Sequence, residues 1–167
     1  MVKPKRHLLQ QNNNPRMYRL TSLFLLLLFL LVSCDRSTLM HSYQPLTENC
    51  WDRSDTVTFD LPPLTTKDNC SMLVGLRVTD HFPYEMLILE VEQSYQNPVS
   101  HRLDTLYYRL ANEDGDFIEK GINYFQYETQ GVTLDLKKGQ TGRIKIRHLM
   151  HREVLPGIMD VGIHVVR

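Results

Sequence analysis

Helical periodicity is missing downstream of residue 34, where no stretch sustains an apolar repeat of useful length. That excludes a helical bundle, and Arg147–Val154 has room for a turn or two at most. No internal repeat is visible, which removes solenoid and propeller arrays. Also missing are a Gly-x-Ser-x-Gly elbow, a Cys–His arrangement with an available thiol and a Gly-rich phosphate loop. Nothing places a base beside a nucleophile, so no enzyme, cofactor or small-molecule substrate is expected. Acidic residues are absent before Asp35, whereas Lys3, Lys5, Arg6, Arg16 and Arg19 precede it.

Behind those cations lies the one long apolar run, Leu23–Val32, followed by Ser33 and Cys34. A basic flank, a short apolar segment and a small residue before a cut are the parts of a secretory signal. The run has ten residues, far short of the roughly 20 that cross a bilayer as a helix. Leu31-Val32-Ser33-Cys34 resembles the bacterial lipobox, whose cysteine is diacylated and becomes the new N-terminus. Residues 1–33 are therefore expected to be a cleaved lipoprotein signal peptide, with Cys34 as the lipidation site. Two or three acyl chains hold stably where one is marginal, so a membrane-tethered protein follows. Cleavage leaves 134 residues, which suits one domain with one core. Fourteen Lys and Arg then stand against nineteen Asp and Glu, a net charge of −5. That balance argues against nucleic acid or anionic headgroups as partners.

Cys50 and Cys70 remain after lipidation. An exported chain permits a disulfide between them, worth about 3 kcal/mol for a loop of that size. The alternative is two separate thiols.

Residues 34–50 read as the lipidated cysteine and a polar tether, with the folded domain at 51–167. Trp51, the only tryptophan, is expected to pack at the start of that fold. From Asp55 onward the apolar period is two. Asp55–Leu61, Met72–Val78, Leu87–Val91, Leu103–Ala111, Asn123–Glu128, Val132–Leu136, Arg143–Arg147 and Met159–Val165 make about eight strands. Leu103–Ala111 alternates less cleanly and is expected to be covered on both faces. Pro62-Pro63, Asn97-Pro98, Asp114-Gly115, Lys138-Gly139 and Pro156-Gly157 supply breaks and turns. Gly162, inside the last strand, marks a bulge or a close backbone approach. The expected fold is an all-β, antiparallel β-sandwich behind the signal peptide and short tether.

Four sets of residues could carry chemistry. His148 and His151, with His164 on the last strand, could share a metal, but Zn²⁺ wants three or four ligands and a solvated basic connection is preferred; no metal is expected. Asn112-Glu113-Asp114-Gly115-Asp116, with Glu119, has the oxygen density of a calcium loop but not the EF-hand pattern, and a polar hairpin tip accounts for it. Glu90 and Glu92 share the outer face of one strand, where solvation explains them without glycosidase chemistry. Tyr95, Tyr107, Tyr108, Tyr124 and Tyr127 either stack on sugar rings or serve as ordinary strand residues, half buried.

Two longer motifs carry a family resemblance: Leu110-Ala111-Asn112-Glu113-Asp114-Gly115 running on to Lys120-Gly121, and Leu155-Pro156-Gly157-Ile158-Met159-Asp160-Val161-Gly162-Ile163. Trp51 with Asp55-Thr56-Val57, and Arg102-Leu103-Asp104-Thr105-Leu106, support them. From about Trp51 to Arg167 the chain resembles the gliding-motility lipoprotein family GldH of the Bacteroidetes. The resemblance implies an outer-membrane lipoprotein, a non-enzymatic accessory or scaffold of the gliding machinery coupled to type IX secretion. Its partners would be envelope proteins of that machinery. Family members also occur in bacteria that do not glide, so the resemblance implies envelope or secretion support more broadly. Acidic runs just after the lipidated cysteine resemble the surface-export signals of this phylum; Asp35-Arg36-Ser37-Thr38-Leu39 has none, which favours the periplasmic face. The alternative function is a carbohydrate-binding lipoprotein, at the surface or in the periplasm, that uses exposed tyrosines.

Overall fold

The structure, a computed structural model, describes residues 38–63, 70–128, 132–134 and 137–167. Residues 1–33, expected to be a signal peptide, and Cys34 lie outside the described residues. Eleven strands are present among them: β1 Thr38–Pro45, β2 Cys50–Asp52, β3 Val57–Leu61, β4 Cys70–Val78, β5 Met86–Gln96, β6 Ser100–Arg109, β7 Phe125–Glu128, β8 Val132–Leu134, β9 Thr141–His148, β10 Val154–Pro156 and β11 Ile158–Val166. One 3-10 turn, Thr47–Asn49, accompanies them. Every pairing is antiparallel.

One sheet runs β1-β11-β4-β7, with β8 also on β4, and the second runs β3-β9-β5-β6. A separate two-stranded ribbon pairs β10 with β2. Alternation decides the inner rows. Val57, Phe59 and Leu61 on β3, Ile144 and Ile146 on β9, and Leu87, Leu89 and Val91 on β5 are buried. They meet Met72, Val74, Leu76 and Val78 on β4 and Val161, Ile163 and Val165 on β11. A period of two puts alternate residues on one face, and burying that row is what holds the sheets together. Tyr108 Oη on β6 donates to the Val74 carbonyl on β4 at 2.6 Å, and Gln44 Nε2 on β1 donates to the Thr58 carbonyl on β3 at 2.6 Å, so polar bonds tie the sheets at both edges. Trp51 is fully buried and its Nε1 donates to the Asp55 carbonyl at 3.1 Å.

Four expectations are corrected. The stretch read as a tether contains β1, which pairs with β11 from Thr38 to Pro45. Its inner row is Met40, Ser42 and Gln44, too polar to advertise a strand. The strand count is eleven rather than about eight, because β1 and the three-residue strands β2 and β10 carry little periodicity. Strand β6 is not covered on both faces: it is an edge strand, and Leu103 and Tyr107 on its outer row are 56% and 66% exposed. Finally, Cys50 and Cys70 are thiols, not a bridge. Cys50 pairs with Pro156, beside the Gly157 carbonyl that accepts from Thr79 N–H just past the end of β4. Cys70 opens that strand. At ~3.3 Å per residue the strand holds the two roughly 25–30 Å apart, where a disulfide needs Cα atoms within about 7 Å.

Gly162 is a close approach, as one of the two expected readings had it. The Tyr43 ring of β1 lies across Gly162 and Gly75, and a Cβ on either would fall 2.6 Å or 2.2 Å from its atoms. The bulge of β11 lies instead between Ile158 and Asp160.

Candidate functional site

The outer face of the five-stranded sheet is the most chemically loaded surface. Two bare glycines let Tyr43 lie flat, and the Arg77 guanidinium stacks over its ring at 4.4 Å and over Tyr124 at 5.3 Å. Arg77 also reaches Asp160 at 3.5 Å. Burial, then the charge of Glu128, pushes the Tyr43 hydroxyl up from its ordinary value. Tyr43 Oη and Arg77 Nε are buried without a hydrogen-bond partner among the described residues. His41 and His164 face each other in register across β1 and β11, their rings stacked at 4.6 Å. Glu128 on β7 completes the group, 4.0 Å from His164 Nδ1.

The outer face of the four-stranded sheet is different in kind. Register partners there are also ion pairs: Asp60 with Arg143 at 2.7 Å, Glu92 with Lys145 at 3.1 Å and Glu90 with Arg147 at 2.7 Å. The Lys145 bond is the main reason that the Glu92 carboxyl sits below the usual range. Glu90 and Glu92 thus share the wet face that their spacing predicted, each held by a cation. A cavity of about 210 Å³ between them is lined by those same paired charges and Thr56. A larger groove of about 460 Å³ runs along Asp60–Pro63, Ser94, Gln96 and Thr141–Arg143.

The tyrosines separate sharply. Tyr95, Tyr108 and Tyr127 are buried, and their hydroxyls donate to Gln93 Oε1, the Val74 carbonyl and the Leu110 carbonyl. Tyr107 is exposed, and Tyr124 lies half buried beside Arg77. No stacking platform is formed by the five.

Of the histidines, the solvated connection expected at His148 is corrected. That ring is 1% exposed, packed edge-on against Trp51 at 5.5 Å, while His151 is exposed on the following loop. Desolvation lowers the His148 pKa, outweighing the nearby carbonyls of Trp51 and Glu153, and neither ring nitrogen makes a well-formed hydrogen bond. His164 lies in the other sheet, beside His41, a partner that sequence spacing gave no means of finding. In the Asn112–Asp116 loop, Asn112 Oδ1 accepts from the amides of Asp114 and Asp116, and Gly115 takes a positive φ of 87°. That is a side-chain-capped hairpin tip.

Fold and surface together define a class: an antiparallel all-β sandwich whose polar groups lie on open sheet faces. The GldH lipoprotein family model matches residues 38–165, from the first residue of β1 almost to the end of β11, and the chain belongs to that family. A relative, the gliding motility lipoprotein GldH of Flavobacterium johnsoniae, is 28% identical over 153 residues, covering 87% of this chain and 94% of its own. Among solved structures, a family GH115 4-O-methyl-alpha-glucuronidase with specificity for decorated arabinogalactans is 13% identical, with a TM-score of 0.43. The match covers 81% of this chain but only 18% of that enzyme, and so weak a likeness carries no argument.

Proposed function

We propose that the mature chain is a lipid-anchored, non-enzymatic accessory of the outer-membrane machinery that serves gliding motility and type IX secretion. The family match over residues 38–165 carries this reading. The lipobox at Leu31–Cys34 supports the anchor. The non-enzymatic part draws on the family and on the larger surface charges, which are spent on one another across β3, β9 and β5.

Because β1 begins at Thr38, only three residues, Asp35, Arg36 and Ser37, separate the acylated Cys34 from the fold. The four residue steps from Cys34 to Thr38 reach at most about 14 Å, so the sandwich is held close to the bilayer rather than on a long leash. Its envelope partners then meet a domain of restricted height. The test is complementation in cells lacking the chain, with membrane fractionation. Wild type should restore surface motility or secretion and fractionate with the outer membrane. Cys34→Ala should be released and fail to restore it. Full rescue by a released Cys34→Ala chain would overturn the anchor's role.

A further inference from the structure

We propose that His41, His164 and Glu128 form a divalent transition-metal site on the outer face of the five-stranded sheet, with Zn²⁺ the best match. The three lie on β1, β11 and β7, and one ligating atom from each falls within 4.8 Å of the others. Two imidazoles and one carboxylate, with a fourth position for water, are a recurrent zinc set. Metal–ligand bonds near 2.0–2.1 Å need the three atoms roughly 3.4 Å apart, so closing the site requires the ligand atoms to draw in from up to 4.8 Å. The stacked imidazoles must also turn until both point at one centre.

Three features favour a ligand set over an incidental polar patch. First, the sheet brings these residues together from strands far apart in sequence, with the imidazoles in register. Glu128 pairs with Gly75 on β4, one strand away from β11. Second, His164 Nε2 lies 3.2 Å from Thr38 Oγ1, while Nδ1 faces Glu128 at 4.0 Å. In the tautomer with Nε2–H donating to the threonine, the Nδ1 lone pair faces the carboxylate, as a cation held between them would require. Such an outer hydrogen bond is how metal-bound histidines are usually oriented. Third, Tyr43 Oη is buried without a partner next to these groups, and Glu128 acts on it electrostatically. A metal there would staple β1, the strand nearest Cys34, to β11 and β7.

The test uses the full-length chain purified from membranes in detergent, with a tag that contains no histidine, stripped of metal and titrated with Zn²⁺ alone by calorimetry. One Zn²⁺ per chain is expected, with affinity falling at least about tenfold in His164→Ala and Glu128→Gln. His151→Ala, on a distant loop, should bind like wild type. Thermal melts with and without Zn²⁺ separate lost ligands from lost fold: each variant should melt cooperatively without metal, and Zn²⁺ should raise the Tm of wild type and His151→Ala clearly more than that of His164→Ala or Glu128→Gln. Co²⁺ should give the visible absorption of a four-coordinate ion in wild type. No saturable Zn²⁺ binding, or binding that survives His164→Ala and Glu128→Gln unchanged, overturns the site.

Discussion

Replacing Gly157 by alanine should cost much more stability than the same change at Gly139. Both glycines have positive φ, 84° and 78°, and an L-residue forced there loses roughly 1–2 kcal/mol. At Gly139 an added Cβ meets nothing within 4 Å. At Gly157 it would stand 2.3 Å from Phe82 N and 2.8 Å from Phe82 Cα. Those are backbone atoms of a turn fixed by the Phe82 N–H bond to the Thr79 carbonyl, so relief requires moving the chain. Gly157 also donates to the Asn49 carbonyl and accepts from Thr79 N–H, both at 2.8 Å, which locks β10 and β2 to the end of β4. Overpacking adds typically about 1–3 kcal/mol. Gly139→Ala should therefore cost about 1–2 kcal/mol and Gly157→Ala about 2–5 kcal/mol. Urea unfolding of both variants, with midpoints compared at constant m, reads the difference. Equal losses, or a larger loss at Gly139, would refute the claim that Phe82 is the obstacle.

Tyr127→Phe removes the bond to the Leu110 carbonyl, which still accepts from Ile118 N–H; about 1 kcal/mol should be lost in chemical denaturation, and no loss would mean that the bond contributes nothing. For His148 the folded-state pKa lies below the ordinary value of 6.5, so the unfolded chain takes up its proton first as pH falls. Stability should then drop from about pH 6.5 down to the folded value. In His148→Phe this part of the acid dependence should vanish; parallel stability curves between about pH 7.5 and 5 would contradict the burial. A chain beginning at Arg36 should fold cooperatively, whereas one beginning at Trp51 lacks β1 and leaves the β11 edge bare. Equal melting curves for the two would return residues 38–45 to a tether.

Strands whose inner row is apolar were legible from the chain alone. Leu87, Leu89 and Val91 on β5, and Val161, Ile163 and Val165 on β11, announce their faces by alternation. β1 did not, because its inner row is largely polar and its large outer ring is fitted by distant residues: Gln44 reaches Thr58, and Tyr43 lies across glycines contributed by other strands. The candidate site was hidden for a related reason. His41, Glu128 and His164 are scattered along the sequence, and only the register of β1 on β11 and of β7 on β4 brings them together. Local spacing pointed instead to His148 and His151, and burial separates that pair. The tyrosines show the limit from another side, since alternation places a ring on a face without saying whether a neighbouring sheet covers it.

Crosslinking followed by affinity capture from native outer membranes, with a C-terminally tagged chain and a Cys34→Ala copy in parallel, tests the accessory role most directly. Components of the gliding or type IX secretion machinery should be captured with the wild-type chain and be lost with Cys34→Ala. Capture of glycan fragments alone, with no envelope protein crosslinked to the wild-type chain, would contradict the accessory role and make the protein a tethered carbohydrate binder.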